Sequence, residues 1–243
     1  MNAPPETSFS PIDMIQTQIP DILAVAAPLI PPPIVLAAAA TSTLKRTIDL
    51  AGSLVGLALL GPLMMVVAVL VRRDSPGPAL FRQRRMGLGG KTFWVLKFRT
   101  MATDAEMRLR EIESLNESGG GVLFKIRRDP RVTRLGRVLR KTSLDELPQL
   151  INVLRGEMSL IGPRPLQMRD SDLLLAGNPE AYSRRLAVLP GASGPWQVGG
   201  RSEVDVNGML RLDLDYIDSW SICGDIKIIF QTVWVVMTGR GAC

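Results

Sequence analysis

Three short stretches of this sequence place charged side chains where they could act on a phosphate. In Thr142-Ser143-Leu144-Asp145-Glu146-Leu147-Pro148 two carboxylates stand side by side at the start of an expected helix. Adjacent acids repel, and a divalent cation such as Mg2+ would relieve that repulsion while facing a diphosphate at the helix N-terminus. The same residues also fit a plain capping box, with Ser143 and Glu146 closing the helix end and Asp145 complementing its dipole. In Ile161-Gly162-Pro163-Arg164-Pro165 two prolines stiffen the chain on either side of one arginine. A guanidinium held that way is organised for bidentate phosphate binding, although a structural turn with Arg164 paired to a core carboxylate fits too. In Lys97-Phe98-Arg99-Thr100 strand alternation puts Lys97 and Arg99 on one face, either for the same anion or as an ordinary exposed strand face.

What is missing narrows the chemistry. There is no histidine, which excludes Ser-His-Asp and Cys-His catalysis and any His-ligated zinc. Cys223 and Cys243 have neither metal-binding spacing nor a disulfide framework around them. Catalysis therefore falls to carboxylates, Lys, Arg, hydroxyls or a hard metal ion.

These residues need elements to hold them. The chain has 243 residues, enough for one sizeable domain with extensions, and 46% of them are hydrophobic. Its net charge of +6 calls for an anionic partner: nucleic acid, anionic lipid or a phosphorylated substrate. The charge is uneven. Residues 1–44 hold three acids and no Lys or Arg, so the remainder carries 29 basic against 20 acidic side chains, a net of +9. That first segment, with Pro20, Pro28, Pro31, Pro32 and Pro33 in its apolar part, reads as a Pro-rich, disordered tail.

Leu50–Val71 is free of charge and, as a straight helix, about 33 Å long, enough to cross a bilayer. Two features favour a dip into one leaflet instead. Gly61-Pro62 stands at its middle, where proline bends a helix, and basic pairs flank both ends, Lys45-Arg46 and Arg72-Arg73. On the residues alone, dipping and spanning stay open. Next, Ala79–Phe81 and Phe93–Phe98 read as short strands joined through Gly87–Gly90. Residues 102–117 read as a polar helix ended by Gly119–Gly121. Arg128, Arg131, Arg134, Arg137 and Arg140 recur every third position beside the membrane segment, where anionic headgroups or phosphates would meet them. A helix is expected from Ser143 to Gly156, another near 178–187, and Ile226–Met237 is too short to span and suits an interfacial or core-docking helix.

Three longer stretches, FRQRRMGLGGKTFWVLKFRTM, DPRVTRLGRVLRKTSLDELPQLINVLRGEMSLIGPRP and PGASGPWQVGGRS, resemble the bacterial sugar transferases, the monotopic polyprenyl-phosphate phosphoglycosyl transferases. The resemblance runs from about Lys45 to the C-terminus. It implies an α+β, mostly helical chain: a re-entrant membrane helix-hairpin over residues 45–73, bent at Gly61-Pro62, then a small cytoplasmic catalytic domain over 74–243 with a short β-hairpin and interfacial amphipathic helices. It further implies that Asp145 and Glu146 are the catalytic pair and bind Mg2+. Asp145 would attack a UDP-sugar and pass the resulting phosphosugar to polyprenyl phosphate, with Arg140 and Arg164 binding phosphate and Lys97 close by. Arg99, on the same strand face as Lys97, is expected to bind substrate phosphate with them. Expected partners are a nucleotide sugar, polyprenyl phosphate and anionic membrane lipids, with homo-oligomerisation left open. The arginine run carries no aromatic between Arg127 and Arg140, which argues against nucleic acid. The sequence departs from the family pattern at Gly61, Ser193-Gly194-Pro195 and Gly199. A non-catalytic scaffold of polysaccharide assembly is the rival reading, and intact Asp145, Glu146, Arg140 and Arg164 speak against it.

Overall fold

A computed structural model describes residues 38–105, 107–108, 126, 129–200 and 204–238. Of the tail expected over 1–44, residues 1–37 lie outside the described residues, as do most of the polar helix expected over 102–117, the Gly119–Gly121 stop and Arg128, whereas 38–41 and 43–44 are helical.

A short helix, α1 (Ala38–Thr41), leads to Ser42, whose side chain accepts from the Lys45 N–H and caps α2 (Thr43–Asp74). Helix α2 is one element of 32 residues that carries Pro62 in its interior. The segment expected to bend at Gly61-Pro62 is helical on both sides of that pair, with Pro62 inside the helix. Proline removes one internal hydrogen bond, and the Leu, Ala, Val and Met around it keep the rest of the backbone helical. Most of the apolar middle of α2 is not buried within the protein, and Leu54, Val55, Leu59, Met65 and Val66 are exposed on a helix long and apolar enough to cross a membrane.

Both ends of α2 nevertheless pack on the rest of the chain. At its start the buried residues Lys45, Asp49 and Ser53 recur every fourth position, one polar stripe on an apolar helix. Asp49 Oδ1 accepts from Ser159 Oγ and from the Leu160 N–H, each at 2.9 Å. Arg46 donates to the carbonyls of Val153 at 2.7 Å and Leu154 at 3.0 Å, capping the end of a later helix. Near the other end, Val67 and Val71 pack with Ala79, Phe98 and Leu139.

Strands β1 (Leu80–Met86) and β2 (Thr92–Phe98) form the expected antiparallel hairpin, with Leu80 opposite Phe98 and Met86 opposite Thr92. Gly89 and Gly90, at φ 64° and 76°, make the turn between them. Phe93 and Val95 turn one face of β2 onto Val153 and Met158. The chain then returns through α3 (Arg134–Thr142), which packs so closely that any side chain at Gly136 would collide with the Thr100 backbone.

Helix α4 (Gln149–Arg155) lies beside β2 and is tied to it by the wholly buried Asn152. The Asn152 amide accepts from the Leu96 N–H at 3.0 Å and donates to the Trp94 carbonyl at 2.7 Å. Strands β3 (Ser159–Ile161) and β4 (Gly191–Ser193) pair in parallel around α5 (Met168–Gly177) and α6 (Pro179–Arg185). A four-residue helix α7 (Pro195–Val198), α8 (Val206–Asp218) and α9 (Ile222–Thr238) complete the described chain. Leu166, Leu174, Tyr182, Leu186, Met209 and Leu210 form the core among α5, α6 and α8. Helix α9 docks through Ile228 and leaves Phe230, Val233 and Trp234 exposed, as an interfacial helix would.

Candidate active site

The helix expected from Ser143 to Gly156 is instead a 3-10 turn, Leu144–Glu146, followed by α4, and the candidate dyad sits in the 3-10 turn. Helix α3 ends at Thr142, and Ser143 takes up a left-handed backbone at φ 56°. It is the one non-glycine residue with positive φ among those described, a conformation that costs an L-residue about 1–2 kcal/mol. The left-handed step turns the chain into a single 3-10 turn, Leu144–Glu146, before Pro148 leads into α4. The capping box does not form: Ser143 makes no side-chain cap, and the Glu146 side chain is drawn elsewhere.

Glu146 Oε1 accepts from Lys97 Nζ at 2.6 Å and from Arg164 Nη2 at 3.0 Å. Lys97 reaches it because residues 93, 95 and 97 share the inward face of β2. Arg164 reaches it from the Pro-Arg-Pro run after β3, with its guanidinium 5.7 Å from the Trp196 ring centre. Burial works to raise the Glu146 pKa, but Arg164 and Lys97 outweigh it and hold the carboxyl well below the usual carboxylate range. For Arg164, the Glu146 charge outweighs burial and raises its pKa. Burial pushes Lys97 down despite Glu146.

Asp145 is the contrasting member. It is 9% exposed and accepts no hydrogen bond from any described residue. Burial raises its pKa and the adjacent Glu146 adds to this, while Lys97, Arg140 and Arg164 oppose. Arg140 comes from the last turn of α3, where its Nε donates to Thr100 Oγ1 at 2.9 Å. Burial lowers Arg140 and Asp145 partly restores it.

The fold thus brings Asp145, Glu146, Lys97, Arg140 and Arg164 together from four segments of sequence. Arg99 is not among them. It lies just beyond β2, and its guanidinium donates to the carbonyls of Val71, Ser75, Pro76 and Gly77. The expectation that Arg99 binds substrate phosphate is corrected on this geometry: it binds the C-terminal end of α2. Gly61 and Pro62 lie in α2, away from this cluster, and Gly61 has no close neighbour.

The donor set suits a hard cation of the Mg2+ type. No cluster of three or more candidate ligands occurs among the described residues, but such an ion is commonly held by one or two carboxylates with substrate phosphates and water completing its shell. The Asp145 oxygens, which accept from none of the described residues, and the second oxygen of Glu146 offer that number.

Residues 40–239 match the bacterial sugar transferase family. The chain belongs to that family. Among curated relatives, the galactosyl transferase CpsE of Streptococcus agalactiae is 41% identical over 199 residues, covering 82% of this chain and 43% of its own. The UDP-glucose:undecaprenyl-phosphate glucose-1-phosphate transferase of Caulobacter vibrioides is 43% identical over 82% of this chain and 71% of its own. The exopolysaccharide production protein ExoY of Sinorhizobium fredii is 39% identical over 82% of this chain and 87% of its own. The chain therefore spans less than half of CpsE and most of ExoY.

Several residues that shape this candidate site were not singled out by the sequence. Arg85, Arg185 and Asp213 are buried beneath the Pro-Arg-Pro run, and Thr100 fixes Arg140. Burial, with the Arg164 cation beside it, brings Arg85 down to about 10. Only Thr100 could have been found, as the last residue of the Lys97–Thr100 stretch.

Proposed function

We propose that this sugar transferase moves a hexose-1-phosphate from a UDP-sugar to a polyprenyl phosphate through a phosphosugar carried on Asp145. The observation that carries this reading is a buried carboxylate with no hydrogen-bond partner among the described residues, facing Lys97, Arg140 and Arg164, next to a second carboxylate that two of those cations hold ionised. The Caulobacter relative, a UDP-glucose:undecaprenyl-phosphate glucose-1-phosphate transferase, suggests the substrate classes.

An Asp145 oxygen attacks the sugar-proximal phosphorus. A new P–O bond forms, the phosphoanhydride bond breaks, and the electron pair leaves with UMP. The acceptor phosphate oxygen then attacks the same phosphorus and the aspartyl P–O bond breaks, regenerating the carboxylate. Both nucleophiles are anions near neutral pH, so no histidine base is required. The difficulty is anion attacking anion, which Arg140, Arg164 and Lys97 offset in a site of low dielectric. Asp145 and Glu146 would hold Mg2+, which supplies further positive charge against the diphosphate.

The acceptor phosphate lies at headgroup depth, so the site must sit there too. Contacts at Lys45 and Val71, 26 residues apart on α2, support a helix that dips and stays with the domain at the cytoplasmic face. A helix crossing the bilayer would carry one end to the far side, out of reach. On this reading residues 45–73 are the membrane element and 74–243 the catalytic part.

The test is UMP release from a panel of UDP-sugars with polyprenyl phosphate and Mg2+, with trapping of the protein-bound phosphosugar. Release together with a label on Asp145 is expected. A label elsewhere, or no label with turnover intact, overturns the covalent step, and no release with any sugar favours a scaffold. Single cysteines at positions 43 and 74, in a background without Cys223 and Cys243, should both react from the cytoplasmic side, and labelling from opposite sides overturns the dip.

A further inference from the structure

We propose that Arg185 and Asp213 are positioning residues for Arg164, setting the direction of its guanidinium through its own main chain; this rests on the reading of Arg164 as a phosphate-binding group. The run Pro163-Arg164-Pro165 has an unusual problem. Its two prolines have no N–H, so the loop has little means of fixing itself through its own amides. Its carbonyls are held instead, three in succession. The Pro163 carbonyl accepts from the Gly191 N–H, the Arg164 carbonyl from Arg185 Nη2 and the Pro165 carbonyl from Arg85 Nη1, each at 2.9 Å.

The middle contact is built from an expensive part. Arg185 of α6 is 5% exposed and Asp213 of α8 is fully buried. Arg185 Nε donates to Asp213 Oδ2 at 2.8 Å, and Nη2 forms an ion pair with the same oxygen at 2.8 Å. Asp213 Oδ1 has no hydrogen-bond partner among the described residues. As a device for joining α6 to α8 this pair is poor, because apolar side chains would pack there without desolvating two charges. What an apolar pair could not do is donate to the Arg164 carbonyl. Asp213 locks the Arg185 fork in the one orientation that does so. From that fixed carbonyl the Arg164 side chain runs to Glu146 on one side and over Trp196 on the other.

A merely structural pair and a positioning pair differ in what their loss does to kinetics. The decisive variant replaces both charges at once, Arg185→Met with Asp213→Leu, in the full chain in lipid nanodiscs, so that no lone charge is left buried. Its thermal midpoint should stay within a few degrees of wild type. Its KM for the UDP-sugar in UMP release should rise about tenfold or more, as a misaimed binding group requires. In an Arg164→Gln background the same pair of changes should add less than about twofold, because the group it positions is already gone. Arg185→Lys keeps the charge opposite Asp213 but lacks the planar fork that spans both acceptors, so a partial rise in KM is expected. Wild-type kinetics in the folded pair variant or in Arg185→Lys overturns the proposal. So does a full, multiplicative effect in the Arg164→Gln background. Failure of the underlying reading looks different: the unaltered protein would itself release no UMP.

Discussion

Two clusters of buried charge stand in this molecule, and they are finished to different degrees. Around the start of α2, Lys45 Nζ donates to Asp225 Oδ2 at 2.7 Å and to the Ile161 carbonyl at 3.0 Å. Asp225 accepts in addition from Tyr216 at 2.8 Å and from the Trp220 indole at 3.1 Å. Burial and the Asp225 charge push the Tyr216 hydroxyl far above its usual range, so it remains a donor. Lys45 and Asp225 pair directly, and each Asp225 oxygen has a donor. Around Asp145, by contrast, three cations face two carboxylates, and one carboxylate accepts nothing from the described residues. A closed network fixes geometry. An open one keeps free energy in reserve for a ligand that has yet to arrive.

The sharpest way to break this contrast is Asp145→Asn. Turnover should fall by about four orders of magnitude or more, as loss of a nucleophile does, and no phosphosugar should be trapped on the protein. Stability should move the other way. The folded-state pKa of Asp145 lies above its unfolded value, so its ionised form opposes folding at pH above that folded pKa, and the opposition fades as pH falls through it. The unfolding midpoint of the variant near neutral pH should therefore equal or exceed that of wild type. Normal turnover, or a clear loss of stability, would place Asp145 in the closed class.

Lys45→Met tests the opposite pole. It leaves Asp225 buried without its cation, which should cost about 3–5 kcal/mol in denaturant unfolding. Molecules that remain folded should keep the wild-type KM for the UDP-sugar. A KM change without a stability change would show that this cluster is not merely a joint.

How much of this was visible in the sequence follows the same division. The hairpin could be read because two short apolar runs, Ala79–Phe81 and Phe93–Phe98, flank a glycine-rich turn, and the signal is local. The Arg-rich remainder of β1 to Met86 gave no such signal. Asp145 and Glu146 could be singled out because adjacent acids among arginines are conspicuous wherever they fold. The capping box failed for a non-local reason. Glu146 is pulled away by Lys97 and Arg164, 49 and 18 residues distant, and no local pattern records that competition. Asp49 was passed over because it stands at the border of an apolar segment, where an acid reads as a boundary and not as an anchor. The parallel β3–β4 pair has three residues in each strand, too few to show a period.

Arg99 is the case where local pattern and fold disagree most, and it gives a test of intermediate size. Its guanidinium satisfies carbonyls at the end of α2, so Arg99→Met should cost about 2 kcal/mol by leaving acceptors unpaired. The KM for the UDP-sugar should not change. A rise in KM with stability intact would return Arg99 to the phosphate-binding group where strand alternation first put it.

The smallest effect is expected from Asp49→Asn, and its smallness is the point. Both bonds that Asp49 makes to β3, from Ser159 Oγ and the Leu160 N–H, converge on Oδ1. An asparagine can present one carbonyl oxygen in the same place and accept both, while giving up the charge. If the closed cluster works by hydrogen-bond geometry, the change should cost about 1 kcal/mol, against about 2–3 kcal/mol for Asp49→Leu, which loses the acceptor as well. If the two substitutions cost the same, the negative charge facing Lys45 holds α2 to β3, and the cluster is electrostatic in the same sense as the active site. Denaturant unfolding of the two variants beside wild type separates these outcomes, because the difference between them exceeds the error of the extrapolation for matched slopes.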